Sequence, residues 1–99
     1  MNDYYKEYFY EVVNQLSLNE VKILAYLYNK EANSQISAIK TGEISEYLNV
    51  SRSTCGRLIN KLIIASFIRQ VNNSRNYSVY ITAFGLACLD IKSDGEMKI

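Results

Sequence analysis

TGEISEYLNVSRSTCGRLINKL, residues 41–62, is the stretch around which the rest of the chain is arranged. It reads as two helices joined by a tight turn. Ile44 and Leu48 lie one helical turn apart in the first segment, and Cys55, Leu58 and Leu62 do so in the second. Each segment therefore carries one inward stripe, with Val50 in the turn between them. Ser45 is small enough to let the second helix cross close by, and Asn49 is a residue type that tolerates the left-handed turn conformation. Ser51 caps the second helix. The outer face then holds Arg52, Ser53, Gly56, Arg57, Asn60 and Lys61, three cations and no large apolar side chain. An outward helix of that composition after a tight turn is the pattern of a helix-turn-helix that reads duplex DNA.

The charge distribution points the same way. The net charge is only +1, but it is unevenly spread. Residues 1–39 hold three lysines against five acidic residues, residues 40–80 hold six cations against two acids, and residues 81–99 hold two against three. The basic excess falls on the segment that the helix-turn-helix assigns to DNA.

Composition bounds the rest. Ninety-nine residues make one domain with a single modest core. With no run of eighteen apolar residues and no charged-then-apolar opening segment, neither a membrane span nor a signal peptide is expected. Two cysteines in such a chain suggest free thiols in a reducing, cytoplasmic setting. Histidine is absent, which removes Ser-His-Asp and Cys-His catalysis and most zinc sites. There is no Gly-rich phosphate loop. The expectation is a protein without enzymatic activity, cofactor or metal.

Outward from the motif, residues 3–15 form an amphipathic helix. Tyr4, Tyr8 and Val12 make one stripe, with Tyr5, Phe9 and Val13 beside it. This helix either covers one side of the core or forms a dimer interface. The interface reading is preferred, because a helix-turn-helix core closes without it and aromatic side chains are enriched at interfaces. Its residues are then Tyr4, Tyr5, Tyr8, Phe9 and Val12. A second helix runs from Leu16 to Asn29, opened by a Ser17–Glu20 capping box, with Val21, Leu24, Leu27 and Tyr28 inward. Residues 30–38 are a polar loop, and Ile39 belongs to a short strand. After the motif, Phe67 to Val71 and Tyr77 to Ile81 are strand-like, separated by a polar tip that carries Arg75. Residues 67–81 thus make a wing. Thr82 caps a final short helix through Leu86 and Leu89, and residues 92–99 form a flexible tail. The fold class is mainly α with a small β-hairpin, a winged helix-turn-helix.

That order of elements resembles the DNA-binding core of the MarR family of bacterial and archaeal regulators, over residues 16–89. Leu16-Ser17 with Ile23, Leu24 and Leu27 is similar to the family's opening core helix. Val50-Ser51-Arg52-Ser53-Thr54 with Arg57-Leu58 and Leu62 is similar to its recognition helix. Ile81-Thr82-Ala83-Phe84-Gly85 resembles the family's Leu-Thr-x-x-Gly element, and Arg75 stands seven residues before Thr82, at the place of the wing arginine. Ser66-Phe67-Ile68 occupies the place of a Gly-Leu-Ile turn, and Asn73 that of a wing aspartate. The resemblance implies a homodimer that binds double-stranded DNA. Family members are longer, and little chain follows Leu89, so a small-molecule effector is not expected here.

The outer face and the resemblance together nominate Ser51, Arg52, Ser53, Thr54, Gly56, Arg57, Asn60, Lys61 and Arg75 as DNA-binding residues. Arg52 and Arg57 suit base or phosphate contacts rather than a merely solvated face. Lys61, near the helix end, suits a phosphate contact or the helix dipole. Gly56 suggests a close backbone approach to DNA or to another helix. Tyr47 suits either the core or the DNA backbone. Cys55 reads as a small buried hydrophobe, and Cys88 as an inert thiol in preference to an exposed redox sensor. The leading function is a dimeric transcription regulator. A plasmid or viral replication or copy-control protein would use the same fold, while a winged helix serving only protein interaction would not need Arg52, Arg57, Lys61 and Arg75.

Overall fold

The structure, a computed structural model, describes residues 3–71 and 77–97. In chain order it contains α1 (Asp3–Asn14), α2 (Leu18–Asn29), β1 (Ile39–Lys40), α3 (Thr41–Leu48), α4 (Arg52–Ile64), β2 (Ile68–Val71), β3 (Ser78–Ile81) and α5 (Ala83–Met97). This is the winged helix-turn-helix expected.

Local hydrogen bonding explains where the helices start and stop. Ser17 Oγ accepts the Glu20 N–H at 3.3 Å while Glu20 Oε1 accepts the Ser17 N–H at 3.0 Å, which closes the capping box of α2. Three helices end on a left-handed residue: Glu31 after α2 (φ 57°), Asn49 after α3 (φ 57°) and Ser66 after α4 (φ 68°). In each case the following N–H reaches back to a carbonyl five residues earlier. These bonds run from Ala32 to Leu27 (2.8 Å), from Val50 to Ser45 (3.2 Å) and from Phe67 to Leu62 (3.0 Å). This is the Schellman closure, built here without glycine.

The three strands form an antiparallel sheet in the order β1-β3-β2. Ile39 pairs with Val79 and Ile68 with Ile81, and all four are buried, so one face of the sheet joins the core. The sheet is tied to the helices by backbone bonds from Ile81 N–H to the Ala32 carbonyl (2.8 Å) and from Thr82 N–H to the Phe67 carbonyl (3.0 Å). Thr82 Oγ1 also donates to the Ser66 carbonyl at 2.6 Å and accepts the Gly85 N–H at 3.2 Å. A Cβ on Gly85 would overlap the Phe67 carbonyl oxygen and the Ile81 side chain. Glycine is required there because α5 runs against the turn leading into β2.

Four details differ from the sequence reading. The helix-turn-helix core does not close without α1: Val13 is fully buried, Val12 packs on the core, and the Phe9 ring meets Phe67 edge-on at 6.0 Å. On α2, Glu20, Ile23, Leu24 and Leu27 face inward, whereas Val21 is half-buried and Tyr28 is 58% exposed. On α4 the fully buried positions are Ile59 and Leu62, with Cys55 close behind, while Leu58 is only half-buried. Finally, α5 continues to Met97, so residues 92–97 are helical rather than a loose tail. The first three shifts share a cause. A stripe drawn at spacing three or four fits two adjacent faces of a helix, and only the neighbouring elements select one.

Ser66→Gly should stabilise the fold by about 0.5–1 kcal/mol, since a left-handed residue with a Cβ costs about 1–2 kcal/mol and glycine returns part of that as unfolded-state entropy. Gly85→Ala should destabilise by about 1–3 kcal/mol through overpacking. Thermal unfolding checks both, with melting temperatures moving in opposite directions. A drop on Ser66→Gly would show that the serine itself is needed at that turn.

Candidate nucleic-acid interface

The exposed side of α4 is shaped by what precedes it. The Asn49 turn redirects the chain, and Ser51 Oγ then accepts the Thr54 N–H at 3.1 Å and donates to Thr54 Oγ1 at 3.0 Å. Ser51 and Thr54, both nominated as DNA contacts, are thus bonded to each other in the helix cap, with Thr54 half-buried. Beyond them Arg52, Ser53, Arg57 and Asn60 are exposed and Gly56 is half-exposed. A Cβ on Gly56 would meet nothing within 4 Å, so no other part of the described chain approaches it closely.

The cations of the motif go to different places. The Arg52 guanidinium lies beside the first turn of α3: a Cβ on Gly42 would stand 3.6 Å from Arg52 Nη2. Lys40, at the N-cap of α3, makes no side-chain capping bond. Lys61 pairs with Glu20 of α2, Nζ to Oε1 at 3.3 Å. The composition of α4 carried no signal for this, because the partner is 41 residues away. Arg75 and the rest of the wing tip lie outside the described residues.

Next to the motif, Tyr47 of α3 is 54% exposed and stacks on Tyr26 of α2, ring centroids 4.3 Å apart. The Tyr26 hydroxyl donates to Glu43 Oε2 at 2.5 Å. That bond to the Glu43 carboxylate, aided by partial burial, raises Tyr26 to about 12. Tyr47 is therefore neither a core residue nor a lone surface ring, but the outer layer of an aromatic pair that joins α2 to α3. The nominated interface residues of α1 divide as well. Tyr4 and Tyr8 are exposed, Phe9 and Val12 face the chain's own core, and the Tyr5 side chain lies outside the described set. Phe84, at the start of α5, is exposed and lies 6.3 Å from the Phe9 ring.

Among the described residues no three His, Cys, Asp or Glu side chains come together as a metal site, and no helix is long and apolar enough to cross a membrane.

This geometry can be set beside known proteins. No protein-family model matches the chain. The DNA-binding protein TubR of Priestia megaterium is 34% identical over 79 residues, covering 80% of this chain and 78% of that protein. The chain belongs to the TubR family of DNA-binding proteins. The solved structure of TubR from Bacillus megaterium pBM400 superposes with a TM-score of 0.78 at 32% identity, over 85% of this chain and 93% of that one. The S. aureus MepR–DNA complex gives a TM-score of 0.71 over 94% of this chain and 75% of that one. Transcriptional regulator Tm0710 of Thermotoga maritima gives 0.64 over 76% and 50%. At 17% and 23% identity these two show the fold alone, and it agrees with the winged helix-turn-helix expected from the sequence.

Both cysteines of this TubR-family chain are buried and free. Burial pushes both thiols up, Cys88 to about 11 against the opposing pull of Lys92. Because the thiolate is the nucleophile, Cys88 should be inert near neutral pH. A thiol reagent at pH 8 should label neither cysteine of the native protein within minutes and both after unfolding. Rapid labelling of one equivalent in the native state would overturn the inert assignment.

Proposed function

We propose that the chain binds double-stranded DNA sequence-specifically through α4, as a homodimer acting in transcription regulation. The observation that carries this is the exposed row Arg52, Ser53, Arg57 and Asn60 on a capped helix, in a chain whose TubR relative is named a DNA-binding protein. Arg57 stands mid-row with open surroundings at Gly56, which suits a bidentate contact to a guanine edge in the major groove. Arg52, beside the first turn of α3, suits a phosphate instead, where a guanidinium and helix N–H groups can meet one anion. The reading involves no catalysis and no cofactor, and places the protein in the cytoplasm with the DNA.

A plasmid or viral replication or copy-control role is the second reading, since the same fold would serve it on repeated sites. The two relatives reported above at 34% and 32% identity are both named TubR, and Tm0710, named a transcriptional regulator, stands at 23%. Genome-wide recovery of bound DNA separates the two: a palindrome beside a promoter supports regulation, and an array of repeats beside an origin supports the second.

For the dimer, a second copy would cover the outward aromatic residues Tyr4 and Tyr8 of α1 and Phe84 of α5. Tyr8 is 68% exposed on a helix whose other side is already committed to the core. Aromatic groups of this kind supply large contact area at low entropic cost.

Arg57→Ala should cost about 1–3 kcal/mol of binding and relax preference at one base pair, whereas Arg52→Ala should weaken all sequences alike and lower the salt slope by about one per subunit. Binding to a panel of single-base variants across a salt series decides this, and unchanged preference in Arg57→Ala would remove it from base reading. Tyr8→Glu should give a folded monomer by light scattering, while Phe9→Ala should lower the melting temperature through lost packing on Phe67. A dimer that survives Tyr8→Glu would move the interface away from α1.

A further inference from the structure

Glu20 is the only charged residue among the fully buried side chains of the described chain. Its Oε1 carries two bonds, accepting the Ser17 N–H at 3.0 Å and the Lys61 ammonium at 3.3 Å. Its Oε2 is buried without any hydrogen-bond partner. A dehydrated carboxylate is tolerated only where charge and hydrogen bonds compensate it. Two sources do so here: the positive end of α2, in whose first turn Glu20 sits, and Lys61. The pair is asymmetric, with the Lys61 side chain 65% exposed and that of Glu20 1% exposed. If the ammonium moved to a DNA phosphate, the buried carboxylate would lose its counter-cation.

The pair adds a polar cross-link to α4 beside the packing of Cys55, Ile59 and Leu62 in the core. The Asn49 turn and the Ser51 cap hold the start of the helix, and the Schellman closure with the Thr82–Ser66 bond holds its end. Those are attachments at the helix termini. The Glu20–Lys61 bond ties the last turn of α4 to α2 and adds to the core packing of Ile59 and Leu62 in resisting roll about the helix axis. Roll matters for reading bases: at a side-chain radius of about 6 Å, a turn of roughly 10° moves a tip by about 1 Å. That is enough to spoil a bidentate hydrogen-bond pair.

We infer that Lys61 serves DNA recognition as a positioning residue, holding the roll of α4 through Glu20, and makes no phosphate contact of its own. This rests on the proposal that α4 reads DNA. The test uses Lys61→Met, Glu20→Gln and the double variant. Each is measured for binding to a duplex recovered with the wild-type protein and to a scrambled duplex, across a salt series, with thermal unfolding alongside. Glu20→Gln keeps an oxygen for the Ser17 N–H while removing the charge.

The expected result is a target-to-scrambled ratio reduced about tenfold in each single variant, comparable to losing part of one base contact, with the salt slope unchanged. The double variant should lose no more than either single one, because the two side chains act as one unit. It also keeps the test available if Lys61→Met fails to fold, since with residue 20 neutral no buried charge is left without its counter-cation. A salt slope shallower by about one per subunit in Lys61→Met, with tighter binding by Glu20→Gln, would overturn the proposal and make Lys61 a phosphate contact. Lower melting temperatures with an unchanged ratio would overturn it in favour of a purely structural pair. Wild-type binding without preference for the recovered duplex would instead refute base reading by α4, the premise itself.

Discussion

Three of the helix ends that build this domain are closed by an ordinary L-residue in left-handed backbone. The chain has no proline, and none of its described glycines has a positive φ. Glu31, Asn49 and Ser66 take that conformation instead, each at a cost of about 1–2 kcal/mol. What offsets the cost is the pair of reverse backbone bonds at each closure and the burial of the next residue. Ala32 and Phe67 are fully enclosed, and Val50 packs at the core edge. The rest of the architecture hangs on these three turns. The first aims the Ala32 carbonyl at the Ile81 N–H, the second sets α4 across α3, and the third sends Phe67 into the core and its carbonyl to Thr82.

Phe67 is where those consequences meet. Its ring receives Phe9 from α1, its carbonyl anchors the residue before α5, and the same carbonyl forbids a Cβ at Gly85. The wing strands, the first helix and the last helix are therefore fastened to one position just after α4. That concentration gives α4 a rigid mounting, and rigidity is what base reading through a few side chains needs. In the proposed dimer the first helix would carry a double duty. Phe9, Val12 and Val13 complete the core while Tyr4 and Tyr8 remain outside, so the helix that would join two copies also stabilises each copy. Folding and dimerisation would then be linked, each favouring the other.

The charges show a similar division of labour. Glu43 is held by the Tyr26 hydroxyl and Glu20 is buried against Lys61, so two acids close to the motif are engaged within the chain. Arg52 and Arg57 are left on the exposed side of α4. A surface can present positive charge to a polyanion by adding cations or by occupying the acids nearby. Here the exposed cations Arg52 and Arg57 supply it, because pairing Glu20 consumes Lys61 and a hydrogen bond from the neutral Tyr26 hydroxyl leaves Glu43 charged.

Much of this was written locally and could be read so. The Ser17–Glu20 capping box, the Ser51 cap, the left-handed Asn49 and the two wing strands depend on residues within a few positions of one another, and each stands where the sequence places it. Spacing of apolar residues likewise announced the helix-turn-helix. Tertiary structure decided which of two adjacent stripes faces inward, choosing Ile23 over Tyr28 and Ile59 over Leu58, because side chains three or four apart cover overlapping arcs and only a neighbouring element can select between them. It turned Phe9 inward and left Tyr8 outside for the same reason. It also gave Lys61 to Glu20, a match across 41 residues that no periodicity encodes, since a charge finds its partner by the distance that folding creates and not by separation along the chain.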